Sequence, residues 1–154
     1  MKYAHTIILT VFVKPEDIIL DESINKKINE CIRKMLVIDY DKEQVLKITE
    51  AGGFENRKII IYELSIHKES HTNQFISNLM KSLTIEQKQY LISDKHERLD
   101  EELGFYLRLD KKALLEGKYL ITDSGECFHI KMTIAAFPKN RENALKVIDE
   151  ALKQ

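Results

Sequence analysis

Residues 127–134, "CFHIKMTI", alternate without a break. Phe128, Ile130, Met132 and Ile134 fall on one side, His129, Lys131 and Thr133 on the other. Successive side chains of a strand point to opposite faces, so this segment has one dry face and one wet face. Residues 4–14 repeat the pattern. His5, Ile7, Leu9, Val11 and Val13 share one face, and Thr6, Ile8, Thr10 and Phe12 share the other. Pro15 ends that strand because it lacks an amide donor. Parallel sheets bury both faces and read as continuous apolar runs. Strands with one polar face therefore predict a mostly antiparallel sheet covered on one side.

The other elements fit around these two strands. Residues 104–109 place Phe105, Leu107 and Leu109 inward and Tyr106 and Arg108 outward. Residues 44–50 and 58–68 read as two strands joined by a glycine-containing connection, the second rich in β-branched residues. "KYLIT" at 118–122 reads as a further strand, followed by the turn "DSG", where Gly125 can take a positive φ. Ile24, Ile28, Cys31, Ile32 and Met35 form a helical stripe, capped by Asp21 or Ser23. The opposite face of that helix carries Lys26, Lys27, Arg33 and Lys34 around Glu30. A helix from Thr72 carries Phe75, Ile76, Leu79, Met80 and Leu83. Thr84 then forms a capping box with Gln87 and starts a surface helix reaching about Asp100, with a seam of Ile85, Ile92 and Leu99. Asn140 caps a last helix packing Leu145, Ile148 and Leu152 inward. The order β-α-β-β-α-α-β-β-β-α predicts one α+β domain over residues 1–154, with helices packed on one face of a mostly antiparallel sheet.

Several classes of function lack their residues. With 44% apolar and 32% charged residues the chain reads as globular, and a net charge of -1 rules out wholesale attraction to polyanions. Any nucleic-acid surface must be local. Cys31 and Cys127 are far apart and belong to no CxxC pair, as expected of reduced thiols in a cytoplasmic protein. The apolar N-terminal stretch is short, broken by Thr6 and Thr10 and followed by no small-residue cleavage site. No run approaches the ~20 apolar residues of a membrane span. Phosphate-binding glycine loops, HExxH and Gly-x-Ser-x-Gly are missing. His5, His67 and His129 lie on strands and read as surface or edge histidines rather than a zinc set. Glu50, Glu55 and Glu63 are not spaced as an acid–base pair. The expectation is a non-enzyme without cofactor or metal.

What stands out is a set of cations interleaved with aromatics. Arg57 and Lys58 start one strand. Arg108, Lys111, Lys112 and Lys118 surround another, and Lys131, Lys139 and Arg141 mark the last strand and its exit. Tyr62, Tyr106 and Tyr119 lie among them. Phosphates need such donors and bases stack on exposed rings, although solvated charge gives the same pattern. The acidic stretch 94–102 balances the cations on a near-neutral chain.

"HTIILTVFVKPED", "GFYLRLDKKALLEGKYLI" and "IKMTIAAFPKNRENALKVI" occur in that order. Together they resemble an archaeal family of small RNA-binding proteins with a predicted link to the exosome. "LRLDKKALLEGK" and "AAFPKNRENAL" carry most of the likeness. Members often show a glycine-asparagine-proline turn before the central strand, where this chain has "GGFENRK", with Arg57 in the proline position. The resemblance implies a fold similar to the large-subunit ribosomal protein that holds 5S ribosomal RNA. It also implies a non-catalytic RNA-binding role in RNA processing or degradation, with RNA and exosome subunits as partners. On that reading Arg108, Lys111, Lys112 and Lys118 contact phosphates, Arg57, Lys58, Lys139 and Arg141 lie nearby, and Tyr106 stacks on a base. The alternative is a protein–protein adaptor or homodimer. It would use an uncovered sheet face bearing Thr6, Ile8, Thr10, Phe12, Ile60, Tyr62, Leu64 and Ile66.

Overall fold

A computed structural model describes residues 1–52 and 57–154. The elements are β1 (Ala4–Val13), α1 (Pro15–Leu20), α2 (Ile24–Met35), α3 (Tyr40–Glu43), β2 (Leu46–Ala51), β3 (Ile59–Ile66), α4 (Glu69–Ser82), α5 (Ile85–Ser93), α6 (Lys95–Arg98), β4 (Gly104–Asp110), α7 (Lys111–Leu115), β5 (Cys127–Ile134) and α8 (Arg141–Leu152). The five strands form one sheet in the order β2-β3-β1-β5-β4. Every neighbouring pair is antiparallel.

Alternation decides which side chains meet the helices. Ile7, Leu9 and Val11 of β1 register with Ile66, Leu64 and Tyr62 of β3. On the other side Ile7 and Leu9 register with Met132 and Ile130 of β5, which in turn oppose Phe105 and Leu107 of β4. All of these are buried, in one cluster with Ile28 and Ile32 of α2, Phe75, Ile76 and Leu79 of α4, and Ala144 and Ile148 of α8. Each such large aliphatic or aromatic side chain contributes about 1.5–3 kcal/mol by leaving water. Truncating fully buried Leu9 to alanine would cost about 2–5 kcal/mol.

Two of the three expected caps form; at α2 the N-cap Ser23 makes no side-chain cap bond and instead donates from its amide and hydroxyl to Asp21 Oδ1. The Asn140 side chain accepts from the Asn143 amide at 2.9 Å, and Thr84 Oγ1 accepts from the Gln87 amide at 3.1 Å. Gln87 does not complete a capping box. Its amide group donates to the Tyr119 carbonyl and accepts from the Ile121 amide, tying α5 to the segment after α7.

Four local expectations are corrected. The "DSG" turn takes no positive φ at Gly125; that conformation falls at Gly117 (φ 86°), just after α7, which Asp110 caps by accepting from the Ala113 amide at 2.8 Å. "KYLIT" runs beside β4 but joins it only through the Leu109–Ile121 bridge. The helix expected to reach Asp100 breaks at Asp94 into α5 and α6. There Leu91 is buried, while Ile85 and Ile92 of the expected seam are exposed. Finally, a register shift between Ala4 and Thr6 turns Ala4 inward and leaves His5 exposed.

Candidate nucleic-acid interface

The face of the sheet away from the helices is built from the other half of each alternation. β1 presents Thr6, Ile8, Thr10 and Phe12. Its partners across the ladders are Ser65, Glu63 and Ile61 of β3 and Thr133, Lys131 and His129 of β5. Ile60, Tyr62, Leu64 and Ile66 lie on the opposite, core side, because β3 pairs Tyr62 with Val11 and Leu64 with Leu9. The apolar part of the open face is therefore Ile8, Phe12, Ile59 and Ile61, with Phe12 43% exposed.

Toward β4 the open face becomes aromatic and cationic. Tyr106 registers with Lys131, and Arg108 with His129. The Tyr106 and His129 rings lie 5.6 Å apart between centroids, tilted by 49°, and Lys131 Nζ stands 5.6 Å from the Tyr106 ring centroid. The Tyr106 hydroxyl donates to Asp100 Oδ2 at 2.9 Å. Asp100 Oδ1 accepts from the amides of Gly104 at 2.7 Å and Glu102 at 2.9 Å. At Gly104 an added Cβ would stand 2.9 Å from Asp100 Oδ2 and 2.9 Å from Lys131 Cε, so a side chain there would displace both from the phenol. Asp100 thus fixes the phenol in place.

The electrostatics follow from these contacts. Burial works against the Asp100 charge, yet the Gly104 amide, the Tyr106 hydroxyl and the Glu102 amide together hold its carboxyl below the usual range. Lys131 is pushed up, first by its interaction with the Tyr106 hydroxyl and then by Asp100 and Glu102, so it stays charged. His129 is pushed down, first by burial and then by Arg108, so it is neutral at pH 7. Arg108 is exposed and donates to the Asp123 carbonyl at 3.1 Å. A shallow hollow of about 280 Å³ opens here, bordered by Arg98, Tyr106, Arg108, Asp123 and His129. Arg98 backs it from the sheet edge, with Nε 2.8 Å from Asp94 Oδ2 and Nη1 donating to the Tyr106 carbonyl at 3.4 Å.

The nine residues singled out from the sequence do not gather into one platform. Tyr106 and Arg108 share the open face. Arg57 pairs with Glu16, and Lys58 lies 3.8 Å from Glu50, both at one end of the sheet. Lys111 is buried: its amine donates to the Phe12 carbonyl at 2.7 Å and lies 3.4 Å from Asp17 and 3.3 Å from Glu126. Lys112 and Lys118 are exposed around α7 and take no ion-pair partner among the described residues. Arg141 donates to the carbonyls of Leu99 at 2.9 Å and His96 at 2.6 Å, holding α8 to the end of α6. Lys139 is exposed in the loop before it. On α2, Lys27 pairs with Asp21, and Arg33 lies over the Tyr40 ring, 4.6 Å from its centroid.

His129 belongs with the open-face set, although the sequence reads it as an ordinary surface or edge histidine and not among the RNA-contacting residues. Lys131 was visible as a cation, but its partner was not. The signal for both was the wet face of the last strand, and the missing fact was which strand lies beside it. Glu50 and Glu63 fall on opposite faces of the sheet, since they register with Ile60 and Thr10 respectively. Glu55 lies outside the described residues. Among the described residues no three His, Cys, Asp or Glu side chains come together as a metal set, and no helix is long and apolar enough to cross a membrane.

A family model described as RNA binding matches residues 7–135, so the chain belongs to that RNA-binding family. It is 26% identical over 112 residues to a Pyrococcus abyssi protein named as an RNA-binding protein, covering 73% of each chain. Two solved structures share the fold. One is a DUF54 protein of Archaeoglobus fulgidus, with TM-score 0.78, 21% identity, and coverage of 96% of this chain and 99% of the other. The second is a DUF54 protein of Methanothermobacter thermautotrophicus, with TM-score 0.73, 22% identity, and coverage of 97% and 98%.

Proposed function

We propose that this protein binds RNA without cleaving it, through the open sheet face, in RNA processing or degradation linked to the exosome. The observation that supports this best is the set Tyr106, Arg108, His129 and Lys131 on adjacent strands of an uncovered face. It combines a fixed ring, which a base can stack on, with two cations free to meet phosphates. Membership of the RNA-binding family supports the ligand, and the sequence likeness to exosome-linked proteins supports the setting. Lys112 and Lys118 are available for outlying phosphate contacts. Lys111 and Arg141 serve the fold instead, Lys111 enclosed by the Phe12 carbonyl, Asp17 and Glu126 and Arg141 joining α8 to α6, while Arg57 pairs with Glu16 away from this set.

Fluorescence anisotropy with labelled RNA at low salt tests the reading. Binding should weaken steeply with added salt. Absence of binding to both structured and single-stranded RNA would remove it. Incubation of end-labelled RNA with magnesium or manganese should leave the RNA intact, whereas cleavage would overturn the non-catalytic part. Co-purification with exosome subunits, with and without nuclease, tests the setting. The competing adaptor or homodimer reading draws on exposed Phe12 and its neighbours. It requires light scattering to show self-association or capture of exosome subunits without RNA.

A further inference from the structure

Resting on the RNA reading, we infer that the ligand class is single-stranded RNA, laid diagonally across β1, β5 and β4 with bases stacked on Phe12, His129 and Tyr106. The register carries this. Thr10 of β1 opposes His129 of β5, and Phe12 lies two residues further along the same face of β1. His129 opposes Arg108, and Tyr106, two residues back on β4, opposes Lys131. Each ring is thus one strand across and two residues along from the one before. With strands ~4.8 Å apart and two residues spanning ~6.7 Å, successive positions on this diagonal are about 8 Å apart.

That arrangement selects the ligand. Within a duplex each base has its faces covered by stacked neighbours ~3.4 Å away. Rings set side by side on a sheet face, Tyr106 and His129 with centroids 5.6 Å apart and planes tilted by 49°, therefore cannot each stack on a base still in a duplex. They can each face a base splayed from an unpaired strand, the usual way proteins read single-stranded RNA. The flanks of the diagonal suit a backbone. Arg108 and Lys131 stand on either side of His129, and the hydroxyls of Thr10, Thr6 and Thr133 lie on the same face. Phe12 is 43% exposed at the free end, which gives this large apolar ring a use.

The test uses the full chain, a fluorescein-labelled uridine-rich RNA octamer, the same octamer carrying one 2-aminopurine, and an RNA duplex of matching length. The single strand should bind at least about tenfold more tightly than the duplex, with 2-aminopurine fluorescence quenched by stacking. Phe12→Leu and Tyr106→Leu should each weaken single-strand binding by about tenfold and reduce the quench, while Tyr106→Phe retains both. Thermal melts followed by circular dichroism show that each variant is folded, and Phe12→Leu lies on the surface. Equal affinity for duplex and single strand would overturn the inference while leaving RNA binding intact. So would a Phe12→Leu variant that keeps full affinity and quench but changes the mass in light scattering. No binding to either RNA at low salt would remove the RNA reading itself.

Discussion

At the corner where α1 meets α7, the Lys111 amine is enclosed by the Phe12 carbonyl, Asp17 and Glu126, and Lys14 holds the other side of Glu126 at 2.6 Å. On the open sheet face, Lys131 stands over the Tyr106 ring with no carboxylate in ion-pair contact among the described residues. Lys111 directly follows β4 and Lys131 lies within β5, and both read from the sequence as cations on or beside a strand. Their work differs because of what surrounds them. Removing an enclosed lysine takes the shared cation from two carboxylates and a carbonyl, leaving Glu126 with Lys14 and Asp17 with the Lys14 amide, so its effect falls on stability. A lysine on an open face keeps its donors for a phosphate, so its effect falls on binding.

The largest expected effect breaks the corner. Lys111→Met should lower unfolding free energy by about 2–3 kcal/mol in urea titration, less than the ~3–5 kcal/mol of a fully enclosed pair because Glu126 is half exposed. The affinity of the folded protein for RNA should change little. A stable Lys111→Met variant that loses RNA binding would reverse the comparison.

The matching change on the open face is Arg108→Ala with Lys131→Ala. Affinity for RNA should fall about 10–100-fold at low salt, and the slope of log affinity on log salt should become shallower by about two. Stability should stay within about 0.5 kcal/mol, as for most surface changes.

pH sharpens the contrast, since each region carries a shifted group. His129 sits below the usual imidazole range, so its neutral form is favoured by the fold. Falling pH below ~6.5 therefore takes a little stability, because the unfolded chain protonates first. Once pH passes the folded value, the open face gains a charge beside Arg108, Tyr106 and Thr10, while Asp100 stays ionised. RNA affinity should then rise roughly fivefold, the ~1 kcal/mol of one charge–phosphate contact in water, and His129→Gln should abolish the rise. At the corner, Glu126 is held below the usual carboxylate range by Lys14 first, against burial, and then by Lys111. Its contribution is complete above the unfolded carboxylate range and is lost as pH falls through the lower folded value. Glu126→Gln should flatten the acid limb of the melting curve.

The smallest expected effect comes from Lys112→Ala with Lys118→Ala. Stability should move by no more than about 0.5 kcal/mol, and affinity by much less than on the open face. If these two losses match those of Arg108 and Lys131, the α7 edge is the main RNA surface and the comparison fails.

Much of the architecture could be read in advance from particular residues. The alternation at 127–134 and 4–14 predicted a one-sided antiparallel sheet, and Asn140 and Thr84 cap the helices they were expected to cap. The break at Asp94 could not be read, because Ile85 and Ile92 keep a helical spacing although only Leu91 turns inward. The Asp110 cap of α7 was hidden in a segment whose lysines drew attention to charge rather than to its helix-forming Ala113, Leu114 and Leu115.

By itself the sequence determined which face of each strand is dry, because side-chain alternation is a local property of an extended backbone. It likewise determined that cations and rings lie on the wet faces of β4 and β5. Only the tertiary structure decided which of them meet. Strand order β2-β3-β1-β5-β4 brings Tyr106 to Lys131 and Arg108 to His129, and it carries Asp17 and Glu126 to Lys111. A long cationic side chain takes its partner from whatever distant segment packs beside it, and no local pattern encodes that choice.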